Sequence, residues 1–263
     1  MKNNSLIFVL IFTFFVANAH EYILIADHFK VKKGDTLELH LFVADGFNIE
    51  TERPLQRKIT KKFELITATS KLDLLAENLE SSFPILTKVV DFEGLGLIHV
   101  ERDYAKNILE NKKFEDYLKE DYIENISINT SAKKEQKERY TRYIKCLIQS
   151  GQPNDDTLYK TIIGQQFEII LLQNPYKLKI GNKLQAKVYF QGKPLANKVI
   201  TIRNRTGNEM ATKQTSRTDK KGVCTFTINR KGDWFLHATQ MIPCPDLAEA
   251  DWESFWTSYS FGI

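Results

Sequence analysis

The chain has 263 residues, 37 lysines and arginines against 33 aspartates and glutamates, and a formal net charge of +4. The basic residues form no block or stripe, which excludes the electrostatic footprint of a nucleic-acid binder. Five histidines and three cysteines are the whole supply of imidazole and thiolate metal ligands, and the cysteines cannot all pair within one chain.

Residues 1–19, MKNNSLIFVLIFTFFVANA, combine a lysine near the start, an apolar run from Leu6 to Val16 and the small-residue exit Ala17-Asn18-Ala19. This pattern predicts a secretory signal peptide cleaved after Ala19. The apolar run is about half the roughly 20 residues of a spanning helix. No later stretch is apolar enough to span a bilayer, so the expected product is exported, periplasmic or secreted.

The next stretch, HEYILIADHFKVKKGDTLELHLFVADG, returns as FEIILLQNPYKLKIGNKLQAKVYFQGK. At an offset of 147 positions Glu21 matches Glu168, Ile23 matches Ile170, Lys32 matches Lys179, Gly34 matches Gly181 and Leu37 matches Leu184. Each copy reads as an apolar strand, a break, a Lys-x-Gly turn and an alternating strand. In the first copy Leu37, Leu39, Leu41 and Val43 share one face, with Glu38, His40 and Phe42 on the other. The repeat predicts two modules, residues 20–160 and 161–263.

Between the copies the texture changes. FEDYLKEDYIENI predicts a short charged helix. SAKKEQKERYTRYIKCLIQSG predicts a longer amphipathic one, because Tyr140, Tyr143, Ile144, Leu147 and Ile148 recur at helical spacing and Gly151 can end it. On that helix Arg139 and Arg142 read as a solvated face. Past the second copy, KVITIRN, VCTFTIN and WFLHATQM are strands separated by Gly and Asp turns. The expected fold is therefore mainly β: two tandem immunoglobulin-like β-sandwich modules with a helical segment between them. The aromatic tail DLAEADWESFWTSYSFGI reads as a packed edge that closes the second sandwich. Cys224 and Cys244 fall in the same module, and their pairing stays open.

Signal cleavage gives one histidine special chemistry. As the first mature residue, His20 offers its α-amine and its imidazole to one metal ion, and their ordinary pKa values of about 7.7–8.0 and 6.5 leave few protons to displace at neutral pH. Two nitrogen donors suit Ni²⁺ and Cu²⁺, so the expected ligand is a divalent transition metal, nickel or cobalt, with copper also possible. His28, at a strand break beside Asp27, and His237, in WFLHATQM, are candidate further ligands. His40 lies on a polar strand face and matches Lys187, which reads as solvent-facing; His99 reads as structural. Hydrolase, P-loop and dinucleotide-binding motifs are absent, so no enzyme is expected.

Three stretches, AHEYILIADHFKVKKGDTLELHLFVADGF, ERYTRYIKCLIQSG and GDWFLHATQMIPCPDLAEADWESFWTSYSFG, together resemble the bacterial periplasmic proteins grouped as a domain of unknown function and filed as a nickel-uptake substrate-specific family. The resemblance covers essentially the whole mature chain. It implies a periplasmic accessory that handles Ni²⁺ or Co²⁺ for a separate membrane permease. His20 matches the family's histidine after the cleavage site. Where some members carry another histidine this chain has Gln240, with His237 three positions earlier. Asp251 and Glu253 match the family's ending. Copper-resistance sandwiches and lytic polysaccharide monooxygenases also begin with a metal-binding histidine on a β-sandwich, so a copper carrier or a histidine-brace oxidase is the alternative. A metal-free structural or adhesion scaffold is the third reading.

Overall fold

The two repeated stretches fold alike, down to their turns. In the first, the Lys32 amide donates to Asp35 Oδ2 at 2.8 Å and the Gly34 amide to the Val90 carbonyl at 2.8 Å. In the second, the Lys179 amide donates to Asn182 Oδ1 at 2.9 Å and the Gly181 amide to the Ile228 carbonyl at 2.7 Å. Both glycines have positive φ, 95° and 92°, a backbone region in which a Cβ is strained. The computed structural model describes residues 21–263, so the expected signal peptide and His20 lie outside the described residues.

The first half of the chain builds β1 (Glu21–Ala26), β2 (Lys30–Val31), β3 (Thr36–Asp45), β4 (Asn48–Arg53), β5 (Thr60–Ile66) and β6 (Lys71–Asp73). A single turn, α1 (Leu74–Glu77), precedes β7 (Leu86–Val89), β8 (Gly94–Arg102) and β9 (Ala105–Glu110). Helix α2 (Asn111–Glu120) then leads into the long β10 (Glu135–Ser150). The second half adds β11 (Phe167–Leu171), β12 (Lys183–Phe190), β13 (Lys193–Pro194), β14 (Val199–Arg205) and β15 (Thr212–Arg217). It ends with β16 (Val223–Thr227), β17 (Asp233–Pro243) and β18 (Trp252–Gly262). The protein is mainly β, arranged as sandwich layers.

Each repeat forms a small four-stranded sheet: β1-β3-β4 with β7 also on β3, and β11-β12-β13 with β16 also on β12. Both pack on one large sheet whose main path is β15-β14-β17-β18-β10-β8-β5-β6. The boundary at residue 160 separates the small sheets. It does not divide the large one, because β10 from the first half pairs in parallel with β18 from the second. Register also differs between copies: Glu21 faces Ala44, whereas Glu168 faces Tyr189. That is a slip of two relative to the repeat, which keeps every side chain on its original face.

The amphipathic helix expected over residues 131–151 is instead strand β10. It lies centrally, between β8 and β9 on one edge and β18 on the other, and every residue from Tyr143 to Ser150 is buried. A strand covered on both faces loses the two-residue alternation, so its apolar positions mimic helical spacing. The tail is corrected in the same way. Strand β18 is no edge: it pairs with β17 and β10, the Ser258 hydroxyl donates to the Tyr22 carbonyl of β1 at 2.7 Å, and Phe255 packs 5.0 Å from Phe190 of β12 on the opposite face.

The helix expected at residues 114–126 forms slightly earlier, as α2. It buries Phe114, Tyr117 and Leu118 along one face, and Phe114 and Tyr117 stack on Trp252 and Trp256 of β18. No helix among the described residues is long and apolar enough to cross a membrane. Cys146, Cys224 and Cys244 are all buried and unpaired. Burial pushes the Cys146 and Cys224 thiols up to about 12, far from the reactive thiolate form. The expected result is that an aromatic disulfide reagent titrates no thiol in the native protein at pH 8 and three after unfolding in urea; rapid native reaction would contradict the buried placement.

Candidate functional site

Strand β1 crosses β18 by backbone contact rather than by side-chain bulk. The Ser258 and Ser260 hydroxyls donate to the carbonyls of Tyr22 and Leu24, and their small size admits the β1 backbone. Ser258 in turn faces His237 across the β17–β18 ladder. The start of β1 is thereby set over β17, and the end of α2 brings Asp121 to the same place.

The groups gathered there form a connected polar cluster. The Thr239 hydroxyl donates to Asp121 Oδ2 at 2.8 Å and lies 3.2 Å from His237 Nε2, while Asp121 Oδ1 is 3.8 Å from that nitrogen. With the threonine proton committed to aspartate, Nε2 is the donor to Thr239, and in the neutral imidazole that tautomer leaves the lone pair on Nδ1. That arrangement, one ring nitrogen anchored by a hydroxyl–carboxylate pair and the other free to coordinate, is the one metal-binding histidines use. His237 is 3% exposed. Burial pulls its pKa down, but the Asp121 carboxylate beside it and the charge of Glu21 outweigh it, so the net shift is upward.

Glu21 is 5% exposed and accepts from the Gly46 amide at 2.9 Å. Desolvation raises its carboxyl above the usual range, against the charges of His237 and Arg203. Lys198 completes the surroundings, donating to the Tyr122 carbonyl at 3.1 Å; burial lowers its ammonium to about 8, although Asp121 and Glu124 favour the charged form. A cavity of about 230 Å³ opens over Glu21, Asp121, Thr201 and Arg203. A larger one, about 590 Å³, lies along α2 and is floored by Leu118, Ile123 and Ile126; its lining is mainly apolar, and the convergent ionisable groups are at the smaller one.

The three histidines singled out in the sequence fall in different places. His20 precedes Glu21 by one peptide bond and lies outside the described residues. His237 is in the cluster just described. His28 is exposed beyond the far end of β1, about 20 Å from Glu21 at roughly 3.3 Å per strand residue, whereas the ligands of one ion each sit about 2 Å from it. The structure therefore brings His237, and not His28, to the start of β1.

His40 is not simply solvated. It is held between Asp27, 3.0 Å from Nε2, and Glu52, 2.7 Å from Nδ1. Among the described residues, Asp27, Glu38 and His40 are the group with ligand atoms within 4.8 Å of one another. Nδ1 of His40 is hydrogen-bonded to Glu52, whereas Nε2 faces Asp27 without a well-formed hydrogen bond. His99 is buried against Glu64 at 2.7 Å. Asp251 and Glu253 do local work: Asp251 accepts from the Lys137 amide at 2.9 Å and pairs with Lys133, and Glu253 pairs with Arg139 at 2.8 Å.

Sequence reasoning missed Glu21, Asp121 and Thr239. Glu21 was visible only as a carboxylate in an apolar strand with a repeat match in Glu168, and both prove to be buried. Asp121 comes from a helix end more than a hundred residues from His237, and no spacing rule links them.

No curated protein matches. One solved structure, described as the "D0-D1 domain of Intimin", is similar at 11% identity over 91% of this chain and 97% of that one, with a TM-score of 0.20, too low to carry an argument. The family model described as "Domain of unknown function (DUF4198)" matches residues 17–242. With most of its length matched, including the start of β1, α2 and His237, the chain belongs to that family.

Proposed function

We propose that the protein is an exported accessory of nickel or cobalt uptake that carries a divalent metal to a membrane permease. The cargo ion is held by the α-amine and imidazole of His20, freed by signal cleavage, together with Nδ1 of His237. The observation that supports this reading is the convergence at the start of β1. The residue bonded to His20 sits among buried His237, Asp121 and Thr239, and the histidine there is oriented with one nitrogen anchored and one uncommitted. The residues fit a borderline metal: nitrogen donors, with carboxylates at hand to offset the ion's charge.

Copper carriage is the second reading, because an amine and two imidazoles also suit Cu²⁺, which binds most such sites more tightly than nickel does. His237 is covered rather than displayed on an open face, which favours carriage over oxidation of a large substrate.

Calorimetric titration with Ni²⁺, Co²⁺, Cu²⁺ and Zn²⁺ tests the proposal on protein whose N-terminus is verified as His20 by mass spectrometry. One extra N-terminal residue is expected to weaken binding by about a hundredfold, and His237→Gln by about tenfold or more, in keeping with the loss of one ligand or its orientation. Equal binding with and without the extension would remove the terminal chelate. The metal ranking separates nickel or cobalt handling from copper handling.

A further inference from the structure

Two arginines converge on one aromatic ring without a carboxylate between them. The Arg142 guanidinium lies 3.9 Å from the centre of the Tyr22 ring, 4.6 Å from that of Tyr140 and 5.5 Å from that of Trp256. Arg102 lies 5.6 Å from the same Tyr22 ring. Arg102 is 5% exposed; its Nη2 donates to Gln56 Oε1 at 2.8 Å, while Nη1 is buried with no hydrogen-bond partner. Nε of Arg142 is likewise buried and unpartnered. Among the described residues neither guanidinium makes an ion pair. Burial, and the nearby charges of Arg142 and the exposed Arg53, lower the pKa of Arg102.

The neighbouring Arg139 shows the contrast. Its two terminal nitrogens pair with Glu249 at 2.5 Å and Glu253 at 2.8 Å, leaving only Nε without a partner. Burying Arg102 beside the half-buried Arg142 is costly, since buried N–H groups need acceptors, and Glu138, whose carboxyl feels the charge of Arg142, makes no ion pair with it. Cation–π contact with Tyr22 returns only about 0.5–2 kcal/mol. The guanidinium fork is shaped for two oxygens of one anion. Tyr22, Tyr140 and Arg142 are half-buried and Arg53 is exposed, so the cluster reaches the surface, with its two unpartnered nitrogens just beneath it.

We propose that Arg102 and Arg142, with Arg53 at the rim, form a binding site for a small oxyanion, a carboxylate or phosphate group whose oxygens accept from the free Nη1 and Nε hydrogens. This site stands apart from the metal reading, although Trp256 lies beside both Arg142 and His237.

The test is calorimetric titration of the folded protein with inorganic phosphate and, separately, with succinate, in metal-free buffer at low chloride. Saturable binding of at least one anion is expected, weakening as sodium chloride is raised. Arg142→Gln is expected to weaken it by about tenfold or more. Arg53→Gln, at an exposed position that leaves the fold intact, is expected to weaken it by about threefold. Arg217→Gln, on a distant strand, serves as the control and is expected to change nothing. Binding of phosphate alone or of succinate alone assigns the oxyanion class. No saturable binding of either, or equal binding by all three variants and the parent, overturns the site.

Discussion

Replacing Lys145 with methionine is expected to lower the unfolding free energy by about 3–5 kcal/mol, the usual cost of stranding one partner of a buried ion pair. Lys145 on β10 and Glu168 on β11 are each 1% exposed, with Nζ 2.5 Å from Glu168 Oε1 and 3.1 Å from the Ile169 carbonyl. Burial lowers the Lys145 pKa, and Glu168 acts against that shift. Glu168 also accepts the amides of Ile163 at 2.7 Å and Gly164 at 3.0 Å. Without the ammonium, that carboxylate keeps two amide partners and loses its counter-charge. The double variant Lys145→Met with Glu168→Gln is expected to recover part of the loss, because a neutral amide has no charge to strand. Urea unfolding of the parent, both single variants and the double variant measures the coupling directly. A loss below about 1 kcal/mol for Lys145→Met would show that the pair contributes little.

This pair also explains what separates the two repeats. Glu21 and Glu168 occupy matching positions, and both are buried. In the second copy the carboxylate is closed off by lysine and two amides. In the first it faces a cavity shared with Asp121 and Arg203 and feels the charge of His237. Matching positions of the repeat thus serve as a structural clamp in one copy and as part of a polar cluster in the other.

How far the sequence spoke depended on the range of the physics. The Lys-x-Gly turns, the alternating β3 and the gapless repeat are local, and they appear in the structure with nearly identical hydrogen bonds. Strand β10 was misread because burial on both faces erases alternation, leaving Tyr140, Tyr143, Ile144, Leu147 and Ile148 to imitate a helix. The same error hid Arg142, which on an exposed helix would have been solvated. The parallel pairing of β10 with β18 joins segments over a hundred residues apart, and no sequence period records such a contact. For the polar cluster, His237 was visible as a candidate, but the hydroxyl and carboxylate that orient it depend on the docking of α2, which is tertiary.

Glu138 is expected to make the protein less stable as pH rises from about 4.5 to 7, and Glu138→Gln to remove that contribution. Its carboxyl is 3% exposed and accepts from Tyr117 at 2.9 Å and from Ser254. Desolvation raises its pKa from the usual 4.5 to about 7, although hydrogen bonds from Ser254 and Tyr117 and the charge of Arg142 pull the other way. A raised folded pKa means that the native state holds the proton after the unfolded chain has released it. The stabilisation is complete below about 4.5 and is lost as pH climbs through 7, at about 1.4 kcal/mol per unit, or roughly 3 kcal/mol in all. Glutamine keeps a carbonyl oxygen for Tyr117 and Ser254 and never ionises. Urea midpoints are therefore expected to rise in Glu138→Gln by the equivalent of about 2–3 kcal/mol at pH 8 and to be nearly unchanged at pH 4. An equal change at both pH values would mean that packing, rather than ionisation of Glu138, sets the effect.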